Sequence, residues 1–179
     1  MNHDRPPAPA KLRLFFALWP DDATRTALAE WSRKIHRASG GRETRPETLH
    51  LTLAFLGEFD AARVRELEAA AARVRIERFV VAFDEAGYWK HNRIVWAGAS
   101  RSPPELETLV AELRAALAQA RVAYDPKPFV PHITLIRKAR REFTLPQFEP
   151  IRWPITDFAL VRSVLGSGGS EYFIQARWT

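Results

Sequence analysis

Apolar residues fall along this chain in short runs whose spacing switches between strand-like and helix-like periods. Leu12 to Trp19 is nearly continuous in apolar character and reads as a buried strand closed by Pro20. Asp21 or Asp22 then caps a helix whose stripe is Ala27, Leu28, Trp31 and Ile35, and Gly40-Gly41 stops it. The next run, about Thr48 to Leu56, reads as a strand ending at Gly57. Asp60 caps a second helix with Val64, Leu67, Ala71 and Val74 on one face. Phe79 to Phe83 reads as a strand, and Glu85 to His91 as a loop with exposed aromatics.

The same order then returns. Arg93 to Ala97 reads as a strand. Ser102-Pro103-Pro104-Glu105 reads as a capping box with proline at the first helical position. The helix it opens buries Leu106, Leu109, Val110, Leu113 and Leu117. Tyr124 to Pro131 is a proline-punctuated loop, and a strand runs from about Val130 to Ile136. The separations from Phe16 to His50 and from Val95 to His132 are nearly equal, which predicts a duplicated strand–helix–strand unit. A hairpin closes the chain, with strands Asp157 to Leu165 and Glu171 to Trp178 around Gly166-Ser167-Gly168-Gly169-Ser170. That loop lacks the Lys-Ser/Thr ending and following helix of a phosphate-binding P-loop, so it reads as a turn.

The last strand of each unit carries one tetrapeptide, His50-Leu51-Thr52-Leu53 in the first and His132-Ile133-Thr134-Leu135 in the second. Side chains alternate faces along a strand, so His and Thr at i and i+2 point the same way, about 6.6 Å apart. The aliphatic residues between them point into the packed side. Two such pairs brought together supply two imidazoles and two hydroxyls, a set suited to acid–base chemistry on an oxyanion. Imidazole titrates near neutral pH, so one copy can act as base and the other as acid.

Composition narrows the chemistry. With 179 residues, 46% of them hydrophobic, the chain supports one sizeable core or two small lobes. It has no cysteine, which excludes disulfides, thiolate zinc sites and a cysteine nucleophile. A catalytic metal usually needs a third His or a carboxylate beside two histidines. Neither tetrapeptide contains Asp or Glu, although Glu47 and Glu58 are near, so no metal and no cofactor are expected. The formal charge of +6, rich in Arg, favours polyanionic partners. Residues 1–11 read as a disordered tail without the apolar core of a signal peptide, and no later run reaches membrane-spanning length. A soluble, cytoplasmic, monomeric protein is the expectation.

Other candidates surround the motifs. Thr52 and Thr134 are read as hydrogen-bond donors to phosphoryl oxygens. Lys138, Arg140 and Arg141 read as a solvated run, whereas Arg137 is singled out as a phosphate ligand. It stands five residues after His132, so it reaches the site only if the strand ends or bulges first. Tyr88, Trp89 and Trp96 are candidates for stacking on bases, with core packing equally open for Trp96. His3, His36 and His91 read as surface residues.

The two H-x-T-x motifs lie within Leu49-His50-Leu51-Thr52-Leu53-Ala54-Phe55-Leu56-Gly57 and Pro131-His132-Ile133-Thr134-Leu135. Together with Arg13-Leu14-Phe15-Phe16-Ala17-Leu18 and the stretch from Phe158 to Trp178, they resemble the two-histidine phosphoesterase superfamily. Within it, the chain is most similar to the RNA 2′,3′-cyclic phosphodiesterases, also called 2′-5′ RNA ligases. The resemblance implies a bilobed α+β fold of pseudo-twofold duplicated lobes, each a mainly antiparallel sheet packed with helices, with the active site in the cleft between them. Lobe 1 would comprise mainly residues 12–85 with part of the C-terminal segment, and lobe 2 mainly residues 90–150. It implies metal-independent opening of a terminal 2′,3′-cyclic phosphate on RNA to a 2′-phosphate, with ATP-independent 2′-5′ ligation as the reverse. The catalytic positions carried over are His50 as general acid and His132 as general base, with Thr52 and Thr134 on the phosphate. Two alternatives stand beside this reading: a non-catalytic binder of RNA ends, and a phosphodiesterase for another small cyclic or 2′-5′-linked nucleotide.

Overall fold

The computed structural model describes residues 10–140, 143–167 and 169–179. Residues 1–9, part of the expected tail, lie outside the described residues, as do Arg141 and Gly168; Lys11 already belongs to the first strand. The elements run β1 (Lys11–Leu18), α1 (Asp22–Ser39), β2 (Arg42–Glu43), β3 (Leu51–Asp60), α2 (Val64–Ala71), β4 (Phe79–Phe83), β5 (Glu85–Trp89), β6 (Ile94–Gly98), α3 (Pro104–Gln119), β7 (His132–Arg137), β8 (Ile151–Ile155), β9 (Phe158–Gly166) and β10 (Gly169–Trp178). The class is α+β with antiparallel pairing throughout.

One eight-stranded sheet has the order β10-β9-β1-β3-β7-β6-β5, with β2 also paired to β7. The unit β1–α1–β3 and the unit β6–α3–β7 thus meet at the centre of the sheet, along their motif strands. Leu51 opposite Ile133 is the pair that joins them. Helix α1 packs over β7 of the other unit, and α3 over β3. Leu14, Phe16 and Leu18 of β1 are buried in one core cluster with Leu28, Trp31 and Ile35 of α1 and Leu106, Leu113 and Leu117 of α3. Each such side chain contributes about 1.5–3 kcal/mol on burial. A smaller apolar cluster of Phe15, Ala17, Ala159 and Val161 lies on the opposite face of the sheet, where the cleft opens.

Local chemistry explains most boundaries. Asp21 caps α1 by accepting a hydrogen bond from the Thr24 amide at 2.7 Å, and Gly40, with φ of 56°, ends it. Asp60 caps a 3-10 turn that leads into α2, rather than the helix directly. Ser102 does not close a capping box: its hydroxyl donates to the Glu107 carboxylate, and Pro103 is the residue before α3. The first motif strand begins later than expected and passes through Gly57, because residues 46–48 form a 3-10 turn and Gly57 (φ 69°) sits at a shift in register.

Two elements depart from expectation. Glu85 to Trp89 is a strand, not a loop, and its aromatics are half-buried. Gly87 disguises it; the glycine is required because the Trp96 indole lies where its Cβ would be, 2.0 Å from Cζ2. Ile151–Ile155 is a further strand, paired with β4 in a separate two-stranded sheet. Pro154 argues against a strand in the sequence, but it sits exposed in a two-stranded sheet, where an unpaired edge position tolerates proline.

Candidate active site

The antiparallel register Leu51 to Ile133 determines the arrangement of the two motifs. Continued by one residue each way, it sets His50 beside Thr134 and Thr52 beside His132. Each imidazole therefore neighbours the hydroxyl of the other motif. All four side chains line one open cleft of about 550 Å³.

Both histidines are held in the same way. His50 Nδ1 donates to the Thr48 carbonyl at 2.7 Å, and His132 Nδ1 donates to the Val130 carbonyl at 2.7 Å. A carbonyl only accepts, so the proton of each neutral ring is on Nδ1 and Nε2 is left for the cleft. The supporting carbonyls are fixed locally. Thr48 ends the 3-10 turn and its hydroxyl donates back to the Arg45 carbonyl at 2.8 Å. Val130 precedes Pro131, which restricts it to extended backbone.

Their surroundings differ. The His50 ring is stacked by Trp19 at 5.4 Å and met by Phe15 at 4.9 Å and Tyr172 at 5.1 Å. This enclosure strips water from the ring. Burial, with smaller contributions from the charges of Arg137 and His132, lowers its pKa to about 4 against the hydrogen bond to Thr48. His132 has Trp89 edge-on at 4.6 Å. Burial first and the Arg137 charge second lower its pKa too.

Arg137 reaches the cleft by a bulge, one of the two routes the sequence allowed. The register of β6 on β7 passes from Val95–Ile136 to Trp96–Thr134, which leaves Leu135 without a partner. Leu135 and Ile136 are both fully buried, and the extra residue turns Arg137 to the side of His132 and Thr134. The first motif repeats the device: Leu53 is skipped between Phe16–Ala54 and Ala17–Thr52, and Phe55 joins Thr52 in the cleft. Arg13 covers the Phe55 ring at 4.9 Å.

The remaining candidates fall elsewhere. Tyr88 packs edge-on against Phe143 at 4.9 Å, and Trp96 leans on Trp89 at 5.6 Å, so these aromatics support the strand beside His132. His36 bonds the Gly41 carbonyl at 3.2 Å and faces Glu43, while His91 is exposed. Trp19, Phe15, Tyr172, Phe55 and Arg42 were not legible as site residues, because the sheet order that gathers them is long-range. Among the described residues no group of three or more His, Cys, Asp or Glu is placed to hold a metal, and no helix is long and apolar enough to cross a membrane.

A family model described as LigT like Phosphoesterase matches residues 18–96. Over 168 residues the chain is 35% identical to the RNA 2′,3′-cyclic phosphodiesterase of Escherichia coli (strain K12), covering 93% of this chain and 95% of that protein. The protein of the same description from Thermus thermophilus is 32% identical over 182 residues, covering 94% and 90%. Among solved structures, E. coli LigT complexed with 3′-AMP superposes with a TM-score of 0.86, covering 94% of this chain and 97% of that one.

Proposed function

The chain belongs to the LigT-like phosphoesterase family, and from that membership we propose that it hydrolyses 2′,3′-cyclic phosphates at RNA ends to 2′-phosphates. The observation that carries the proposal is the matched fixing of both imidazoles, each Nδ1 donating at 2.7 Å to the carbonyl two residues earlier. That leaves two Nε2 atoms on one cleft, with the opposing hydroxyls of Thr52 and Thr134 and the Arg137 guanidinium beside them.

In the proposed reaction a water oxygen attacks phosphorus as the bond from phosphorus to the 3′-oxygen breaks. His132 Nε2 takes the water proton, and protonated His50 gives its Nε2 proton to the departing 3′-oxygen. The product holds a 2′-phosphate and a free 3′-hydroxyl. Thr52, Thr134 and Arg137 hold the non-bridging oxygens, where charge grows in the transition state. The histidines must share one proton. Both bind it weakly in the empty cleft, and the anionic cyclic phosphate raises the proton affinity of each once bound. No step requires a metal or cofactor. With the 5′-hydroxyl of a second strand in place of water, the same displacement joins the two strands by a 2′-5′ bond without ATP, His132 taking the hydroxyl proton and the 3′-oxygen again leaving. In this reading the two strand–helix–strand units are lobes flanking the cleft, and the enzyme acts as a cytoplasmic monomer.

Incubation with an oligoribonucleotide ending in a 2′,3′-cyclic phosphate, followed by chromatography, tests the proposal. A 2′-phosphate product is expected. Unchanged substrate, or a 3′-phosphate product, would overturn it.

A further inference from the structure

The cleft is larger than a single cyclic phosphate needs, and one wall carries a second cationic group. Arg42 of β2 stands directly opposite Arg137 of β7 in the antiparallel ladder, and both side chains line the cleft. Like charges at facing positions destabilise a ladder. Among the described residues neither guanidinium is paired with a carboxylate, so nothing there offsets their repulsion. An anion between or beside them would.

The same wall is prepared in two further ways. Thr44 lines the cleft, and its hydroxyl lies buried behind that wall without a hydrogen-bond partner. The backbone there is tightly held: the Thr44 amide donates to the Leu135 carbonyl at 2.7 Å, and a Cβ on Gly41 would stand 2.7 Å from the Arg137 carbonyl oxygen. Across the cleft, Arg45 donates to the Ser170 carbonyl at 3.0 Å and Arg42 lies against the Gly169 turn. Arg42 is thus set beside Arg137, on the neighbouring strand, at the wall of the cleft.

We propose that Arg42 forms a second phosphate subsite, beside Thr44 on the same wall, which takes the internucleotide phosphodiester preceding the terminal cyclic phosphate. The inference rests on the function proposed above and deepens it: the enzyme reads the end of a strand, and a substrate with at least one internucleotide linkage binds better than a cyclic mononucleotide. Arg137 serves the reacting phosphate and Arg42 the next one, which explains why two arginines face each other.

Calorimetry with two product-like ligands tests this, adenosine 2′-phosphate and a diadenosine bearing a terminal 2′-phosphate. The wild-type protein is expected to bind the dinucleotide about tenfold more tightly, the scale of one charge-assisted contact. In Arg42→Ala that ratio falls to near one, with Arg42→Lys between. A neutral methylphosphonate linkage removes the preference in the wild-type protein, which decides the matter even if the variant does not fold. The salt slope for the dinucleotide falls by about 0.7 in Arg42→Ala, as expected for one lost phosphate contact on a single strand. A preference that survives in Arg42→Ala, or with the methylphosphonate, overturns the subsite; so does equal binding of the two ligands by the wild type. Turnover of a cyclic-ended RNA is measured alongside. Charge-dependent dinucleotide preference without turnover would sink the proposed reaction and leave the subsite standing. Turnover without preference would sink the subsite alone.

Discussion

Phe55 stands five residues after His50 as Arg137 stands five residues after His132, and both line the cleft because one bulge, at Leu53 or at Leu135, falls between each histidine and the later residue. In a regular strand the odd spacing would send both into the core. The two units thus share a backbone device and differ in what it delivers: an aromatic ring in the first, a guanidinium in the second. The charge of the cleft is therefore lopsided although its backbone is near-symmetric. Arg137 also acts on both imidazoles, lowering the proton affinity of each.

Arg137→Ala should lower kcat/KM for a 2′,3′-cyclic substrate by about 10²–10³, the usual loss for one donor to a developing oxyanion. Arg137→Lys should keep the charge but lose the bidentate fork, and fall between. Proton NMR titration of the histidine ring signals provides a second measure. With the cation removed, both histidine pKa values move up, whereas a purely structural role for Arg137 predicts no such paired movement.

His50→Ala and His132→Ala should each reduce turnover by about 10²–10⁴. The double variant should be little worse than the poorer single one, because the two act on one proton transfer sequence. Circular dichroism should show all three folded. Turnover near wild type in either single variant excludes the two-histidine mechanism.

The parts of this arrangement that were legible in the sequence are those governed by short-range periodicity. The H-x-T spacing put each imidazole and hydroxyl on one face, and the apolar stripes of α1 and α3 marked their buried sides. The parity of Arg137 showed that the strand must end or bulge before it, yet Leu135 gives no sign of being the residue left unpaired; that depends on the register against β6. The aromatic cage of His50 draws Trp19 from β1's end and Tyr172 from β10, more than a hundred residues away in sequence. No local pattern announces such a meeting. The strand at β5 was hidden by Gly87, whose side-chain space is taken by Trp96 of the neighbouring strand.

The pH dependence of kcat/KM should be bell-shaped, with both limbs controlled by histidines that bind protons more weakly than free imidazole. The acid limb lies near pH 4 and the alkaline limb below about 6.5, because both folded values are lowered. The bell does not by itself assign acid and base, since either one-proton form of the pair gives the same curve. EDTA should leave the profile unchanged; loss of activity restored by a divalent ion would contradict the metal-free mechanism.

The same burial of His50 should appear in stability. Its folded pKa of about 4 lies below the ordinary 6.5, so between these values the unfolded chain binds more protons than the folded one. Stability is therefore full above about pH 6.5 and lost as pH falls through about 4, by at most about 3 kcal/mol. Denaturant melts across this range should show the decline. His50→Gln, which does not titrate, should make the decline shallower and leave the part that the lowered His132 contributes.

Gly87→Ala tests the support beneath His132. The added Cβ would stand 2.0 Å from Cζ2 and 2.3 Å from Cε2 of Trp96. The ring is half-buried between Gly87, Gly98 and Trp89, so it moves only by displacing its neighbours. Overpacking of this kind costs about 1–3 kcal/mol, read as a lowered melting temperature. Trp89 shifts with Trp96, and Trp89 lies edge-on to His132 at 4.6 Å. Activity should therefore fall in the fraction that remains folded, with kcat affected more than KM because the imidazole is misaligned rather than the cleft closed. Gly166→Ala is the control, since its nearest contact is an ordinary 3.5 Å to the Gly169 carbonyl oxygen. That variant should keep stability within about 0.5 kcal/mol of wild type. Equal behaviour of the two variants would show that the Trp96 inset does not hold the site in place.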